Sequence, residues 1–96
     1  MEYHLPERVL TDIKKFALAN DVEKVILFGS RARGTNKEKS DIDIAVSGGD
    51  YLNFYYDIEE KADTLLMFDV INLDEEISAA LQKEIERDGI IIYEKI

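Results

Sequence analysis

The chain contains no cysteine, no tryptophan and a single proline. Without cysteine, disulfide bonds and thiolate-based zinc or redox sites are excluded. No apolar run approaches the roughly 20 residues that a membrane helix needs. The stretch Met1–His4 also lacks the basic segment and apolar core of a signal peptide. We therefore expect a cytoplasmic protein that makes no use of a membrane.

What the chain does contain is typical of a globular protein. Of its 96 residues, 46% are hydrophobic and 34% are charged, which predicts one domain over residues 1–96. The net charge of −9 is uneven: residues 1–49 hold eight basic and eight acidic residues, and residues 50–96 hold four and thirteen. Long nucleic acid is a poor partner for such a chain, because Lys and Arg supply most of that affinity. A small polyphosphate or a basic partner protein fits the charge better.

The hydrophobic pattern predicts an α/β fold with helices packed against a mixed sheet. Asp50 and Asp74 are expected to cap helices, because a carboxylate accepts hydrogen bonds from the free N–H groups of a helix start. Only about a dozen residues join the first two strands, which favours an antiparallel pair. The predicted helices are 5–20, 51–64 and a final one from Asp74 to Gly89; the predicted strands are 25–28, 41–47, 66–71 and 90–93.

A glycine–serine turn followed by two aspartates is the most informative segment. Gly29-Ser30 ends an apolar run, and ten residues separate Ser30 from Asp41-Ile42-Asp43. On a strand, residues two apart point to the same face, so Asp41 and Asp43 should project together. Adjacent carboxylates repel unless a cation neutralises them, and a hard divalent ion with phosphate co-ligands is the usual solution. Gly29 is expected to adopt a positive φ or to let phosphate approach the backbone.

Three further residues extend this pattern. Arg31 and Arg33 directly follow the turn, where at least one is expected to contact phosphate, although both could equally be surface charges. Asp69 interrupts an apolar strand, and a lone carboxylate there is unfavourable unless it is paired or bound to metal. If its strand lies beside that of Asp43, three carboxylates converge on one sheet face. Together the residues predict a metal–nucleotide site.

Gly29-Ser30, ten intervening residues, Asp41-x-Asp43 and a later strand aspartate resemble the motifs of the DNA-polymerase-β-like nucleotidyltransferase superfamily. The short chain is similar to its smallest branch, the minimal nucleotidyltransferases (MNT). The resemblance implies transfer of a nucleoside monophosphate from ATP or another NTP to a hydroxyl, with two Mg²⁺ ions. Asp41 and Asp43 would bind the metal, Asp69 would be the third catalytic carboxylate, and Gly29 and Ser30 would bind the triphosphate.

The resemblance also implies a partner. Similar minimal proteins are commonly encoded beside a small helical HEPN protein, and act as antitoxins that adenylylate a tyrosine of this ribonuclease toxin. Two other functions stay open: a non-catalytic scaffold that neutralises a HEPN-like protein by contact, and an aminoglycoside-type small-molecule nucleotidyltransferase. A homo-oligomer also stays open. The helical spacing of Tyr51, Phe54 and Tyr55 predicts either core packing or aromatic anchors at an interface.

Overall fold

A computed structural model describes residues 3–96 and contains four helices and four strands within them. None of the helices in this range is long and apolar enough to cross a membrane. The predicted α/β class is confirmed. In chain order the elements are α1 (Glu7–Ala19), β1 (Lys24–Phe28), α2 (Ser30–Arg33), β2 (Ile42–Ser47), α3 (Tyr51–Lys61), β3 (Phe68–Asn72), α4 (Ala79–Asp88) and β4 (Ile90–Glu94).

The strands form one mixed sheet in the order β3-β2-β1-β4. β1 is antiparallel to β2, as expected for their short connection, and it is also antiparallel to β4. β3 runs parallel to β2. The central strands have near-continuous apolar sequences because helices cover both faces of the sheet. The order makes β3 an edge strand directly beside β2, and this neighbour relation positions the site.

The two faces of the sheet are covered by different helices. α1 and α3 pack on one face and form the larger core with the strands. α4 covers the other face, where Ile85 packs with Phe28 and Ala45. Phe54 is fully buried and therefore belongs to the core, not to an exposed anchor surface, whereas Tyr55 is exposed. The larger core is centred on Val9, Ile13, Phe16, Leu27, Ile44, Phe54 and Ile58.

The start of α4 differs from the prediction. Asp74 does not cap this helix; its carboxylate accepts a hydrogen bond from the Gly48 N–H at 2.7 Å. The true N-cap is Ser78, whose hydroxyl accepts from the Leu81 N–H at 3.1 Å. Three acidic residues in a row resemble a helix start because they suit the helix dipole. Here the Asp74 carboxylate instead ties two loops together, and the helix begins four residues later than predicted.

Candidate active site

β2 and β3 bring two of the predicted carboxylates side by side. Asp43 lies opposite Asp69 in the parallel register, so both side chains leave the same face of the sheet. Asp41 lies just before β2, and its negative charge also reaches the Asp43 carboxylate. The structure thus gathers Asp41, Asp43 and Asp69 at the end of the sheet where β2 and β3 begin.

The surroundings of the Asp43 carboxylate disfavour its negative charge. Burial raises the pKa of Asp43 to about 6, with further contributions from the charges of Asp69, Asp41 and Glu84. Arg33 acts in the opposite direction. Asp43 is half-buried, while Asp41 and Asp69 are exposed. A cation between these groups would remove the repulsion and restore the ionised form.

The donor set fits a hard cation that arrives with its own ligands. Among residues 3–96, no three His, Cys, Asp or Glu side chains lie close enough to hold a metal ion unaided. Mg²⁺ is commonly bound by one or two carboxylates, with water and substrate phosphates completing its octahedral shell. Asp41 and Asp43 would hold such an ion, with Asp69 beside them, when a polyphosphate supplies the remaining oxygens.

Gly29 connects the turn to these carboxylates. Its φ is +76°, in the region that favours glycine, as expected from the sequence. A Cβ at this position would overlap the Asp43 carboxylate oxygen Oδ2. The absence of a side chain therefore lets the turn lie directly against the Asp43 side chain. Any phosphate bound by the turn would lie beside the carboxylate cluster.

The single turn of α2 buries some of the side chains that follow Gly29 and exposes others. Ser30 and Arg33 are three residues apart and therefore lie on the same side of the turn. Ser30 is half-buried and Arg33 is exposed, whereas Arg31 and Ala32 are buried. The turn thus presents one hydroxyl and one guanidinium outward.

Arg31 holds the surrounding backbone in place. Its side chain donates three hydrogen bonds to backbone carbonyls: Nε to Ser40 at 3.1 Å, Nη1 to His4 at 3.1 Å and Nη2 to Glu38 at 3.0 Å. The residue is only 3% exposed. These contacts give no support to a phosphate role for Arg31, which stays a prediction. They fix the loop that leads into Asp41.

α4 contributes two residues that the sequence reasoning missed. Glu84 is half-buried, and its negative charge helps to raise the pKa of Asp43. Asp88 accepts a hydrogen bond from Arg33 Nη1 at 2.7 Å. Both are more than 40 residues from the Asp41–Asp43 pair in sequence, and no local pattern marks them as site residues. Only the packing of α4 across the sheet brings them there.

Comparison with known proteins places this geometry in a family. Residues 11–96 match the family model described as polymerase beta, nucleotidyltransferase. No curated protein matches the chain. The match covers most of the sequence, including the turn and all three aspartates.

Solved structures share the fold. One is a toxin–antitoxin complex with AMP-PNP, with 24% identity and a TM-score of 0.70 over 90% of this chain and 73% of that chain. Another contains a tri-AMPylated HEPN toxin of Shewanella oneidensis with an MNT antitoxin, with 21% identity and a TM-score of 0.63 over 90% and 70%. A third, described as a nucleotidyltransferase of Sulfolobus solfataricus, has 22% identity and a TM-score of 0.52 over 92% and 82%. The resemblance suggested by the motifs is confirmed: the chain belongs to the polymerase beta nucleotidyltransferase family.

Proposed function

We propose that this protein is a Mg²⁺-dependent nucleotidyltransferase that transfers AMP from ATP to a hydroxyl of a partner protein, as the antitoxin of a HEPN toxin. One observation carries the proposal: Asp43 lies opposite Asp69 in register, while Gly29 lies directly against Asp43. The turn that we expect to bind phosphate therefore lies next to a pair of carboxylates. Family membership supports nucleotidyl transfer, and the toxin–antitoxin relatives support the choice of partner.

In the proposed reaction the acceptor oxygen forms a bond to the α-phosphorus of ATP. The bond from that phosphorus to the bridging oxygen breaks, and pyrophosphate leaves with the bonding electrons. Asp69 accepts the proton of the acceptor hydroxyl, a role that suits an exposed carboxylate on an edge strand. Backbone N–H groups of the turn and the Ser30 hydroxyl orient the phosphates. Mg²⁺ held by Asp41 and Asp43 would neutralise charge on the triphosphate.

The surface beside Asp69 favours a protein acceptor over a small molecule. Met67 lies two residues before Asp69, directly before the start of β3, and is 66% exposed. Leu65 is fully exposed nearby. Exposed apolar side chains near Asp69 favour an acceptor that buries them. An aminoglycoside-type substrate is polycationic and would leave these side chains in water, whereas a protein would cover them.

The direct test is a transfer assay with a HEPN toxin as the candidate acceptor, chosen because HEPN proteins are the partners in the related complexes. The two proteins are incubated with ATP and Mg²⁺, and the intact mass of the partner is measured. We expect a gain of one adenylyl group on a partner tyrosine with the wild-type chain, and no gain with Asp69→Asn. Binding without any mass gain would contradict catalysis and favour neutralisation by contact. Transfer to an aminoglycoside but not to the protein would favour the small-molecule alternative.

A matched pair of surface variants tests the acceptor side separately. Met67→Glu places a charge in the apolar surface beside Asp69, and we expect it to weaken association with the partner by about tenfold or more. Leu18→Glu is the control, because Leu18 is 73% exposed and lies in the last turn of α1. Equal partner affinity for the two variants would argue against docking at Met67.

A further inference from the structure

An ion-pair network ties the end of α4 to the turn after Gly29. Asp88 Oδ2 accepts from Arg33 Nη1 at 2.7 Å and from Arg87 Nη2 at 2.9 Å. The Asp88 side chain is 7% exposed, whereas that of Arg33 is 41% exposed. Charge-assisted hydrogen bonds of this length hold geometry well. Asp88 is therefore the fixed anchor, and Arg33 is the group that it restrains.

The restrained guanidinium lies beside the glycine–serine turn and the carboxylate cluster. Arg33 shares one side of the α2 turn with Ser30, and its positive charge reaches Asp43. Among the described residues, the side-chain hydrogen bonds of Arg33 go to Asp88 alone. The guanidinium has five N–H donors in a planar fork, so most of them stay available to a phosphate.

We propose that Asp88 is a positioning residue that holds Arg33 beside the Gly29–Ser30 turn, where Arg33 contacts the triphosphate of the bound nucleotide. This inference rests on the proposed function, because it assumes that the site binds a nucleotide. Asp88 accepts hydrogen bonds from both Arg33 and Arg87, so its carboxylate is held from two sides. Restraint by Asp88 removes part of the ordering penalty that a free arginine would meet on binding.

A double-mutant cycle tests the proposal by calorimetry of MgATP binding. We expect Arg33→Ala to weaken binding by about tenfold or more, the effect of losing a hydrogen bond to a charged group. Asp88→Asn should weaken it by about three- to tenfold, because Arg33 keeps its charge but loses its restraint. The double variant should bind as weakly as Arg33→Ala and no worse. Lys83→Ala, which removes an exposed cation from α4, is the control and should change binding less than about twofold.

The outcomes separate this inference from the proposed function. MgATP affinity that is unchanged or tighter in Asp88→Asn overturns the positioning role, and so does an Asp88→Asn effect that persists when Arg33 is already alanine. A wild-type protein that binds no MgATP overturns the proposed function itself. Thermal midpoints are measured for every variant, and binding is measured well below the lowest of them, so that unfolding does not imitate weak binding.

Discussion

Gly29 lies so close to Asp43 that a methyl group at residue 29 would overlap the Asp43 carboxylate oxygen Oδ2. The two residues come from different elements: Gly29 follows β1, and Asp43 lies in β2, where it pairs with Phe28. The antiparallel β1–β2 register therefore fixes the distance between the turn and the carboxylate. The glycine–serine turn and the strand that carries Asp43 are therefore packed against each other in the fold, as well as lying close together in the sequence.

Replacement of Gly29 by alanine tests this contact. We expect Gly29→Ala to destabilise the fold by about 1–3 kcal/mol, because alanine is strained at φ +76° and its methyl group displaces Asp43. Chemical denaturation measures this change, and MgATP binding should fall with it. Gly34→Asn is the control, since asparagine tolerates the left-handed conformation at residue 34. A Gly29→Ala protein as stable as wild type would show that the close approach is not needed.

The pH dependence of stability tests the charge cluster without metal. The pKa of Asp43 is about 6 in the folded protein, above its usual value of 3.8. The folded state therefore holds this proton more tightly, and ionisation of Asp43 destabilises the fold as the pH rises from about 4 to 6. Asp43→Asn should raise the free energy of unfolding by about 1–2 kcal/mol at pH 7.5 and hardly change it at pH 4. Thermal melts in chelator at both pH values measure this, and equal shifts at the two values would contradict it.

Removal of the Ser30 hydroxyl tests the phosphate turn. We expect Ser30→Ala to weaken MgATP binding by about 0.5–3 kcal/mol, the range from an ordinary hydrogen bond to one with a charged group. Calorimetry measures the affinity. Ser47→Ala is the control, because Ser47 lies at the other end of β2 and pairs with Lys24. Equal MgATP affinity in Ser30→Ala and Ser47→Ala would show that the Ser30 hydroxyl does not contribute to phosphate binding.

Arg31 should matter for stability. Arg31→Met keeps much of the side-chain volume but leaves the carbonyls of His4, Glu38 and Ser40 without their donor. We expect a loss of about 2–4 kcal/mol in urea denaturation. Lys37→Ala, in the same loop but exposed, should change stability by less than about 0.5 kcal/mol. A loss of less than about 1 kcal/mol in Arg31→Met would contradict the structural role.

Much of the site could be anticipated because its determinants are local. The apolar runs predict the strands, and the alternation within them predicts which face Asp43 and Asp69 share. The connection between Ser30 and Asp41 is short enough to favour an antiparallel strand pair, which the structure confirms. These features need only the periodicity of a strand and the length of a connection.

The features that the sequence did not reveal depend on long-range packing. Two arginines in a one-turn helix look alike in the sequence, yet Arg31 points inward to three carbonyls and Arg33 is exposed. In so short a helix, the surrounding elements decide which side chains face the interior. Asp74 resembles a helix cap until the Gly48 N–H, in a distant loop, is found to bind it. Asp88 becomes a neighbour of Arg33 only when α4 crosses the sheet.

MgATP binding by wild type and Asp43→Asn tests the central claim, that these carboxylates form a metal–nucleotide site, most directly. Calorimetry is run with and without Mg²⁺, after thermal melts have shown that both proteins are folded. We expect wild type to bind ATP only when Mg²⁺ is present. The MgATP affinity of Asp43→Asn should fall by more than about 10–100-fold, which is the loss typical of removing a group that only supports a metal ligand. Affinity of Asp43→Asn within about threefold of wild type, or wild-type binding that ignores Mg²⁺, would contradict the account.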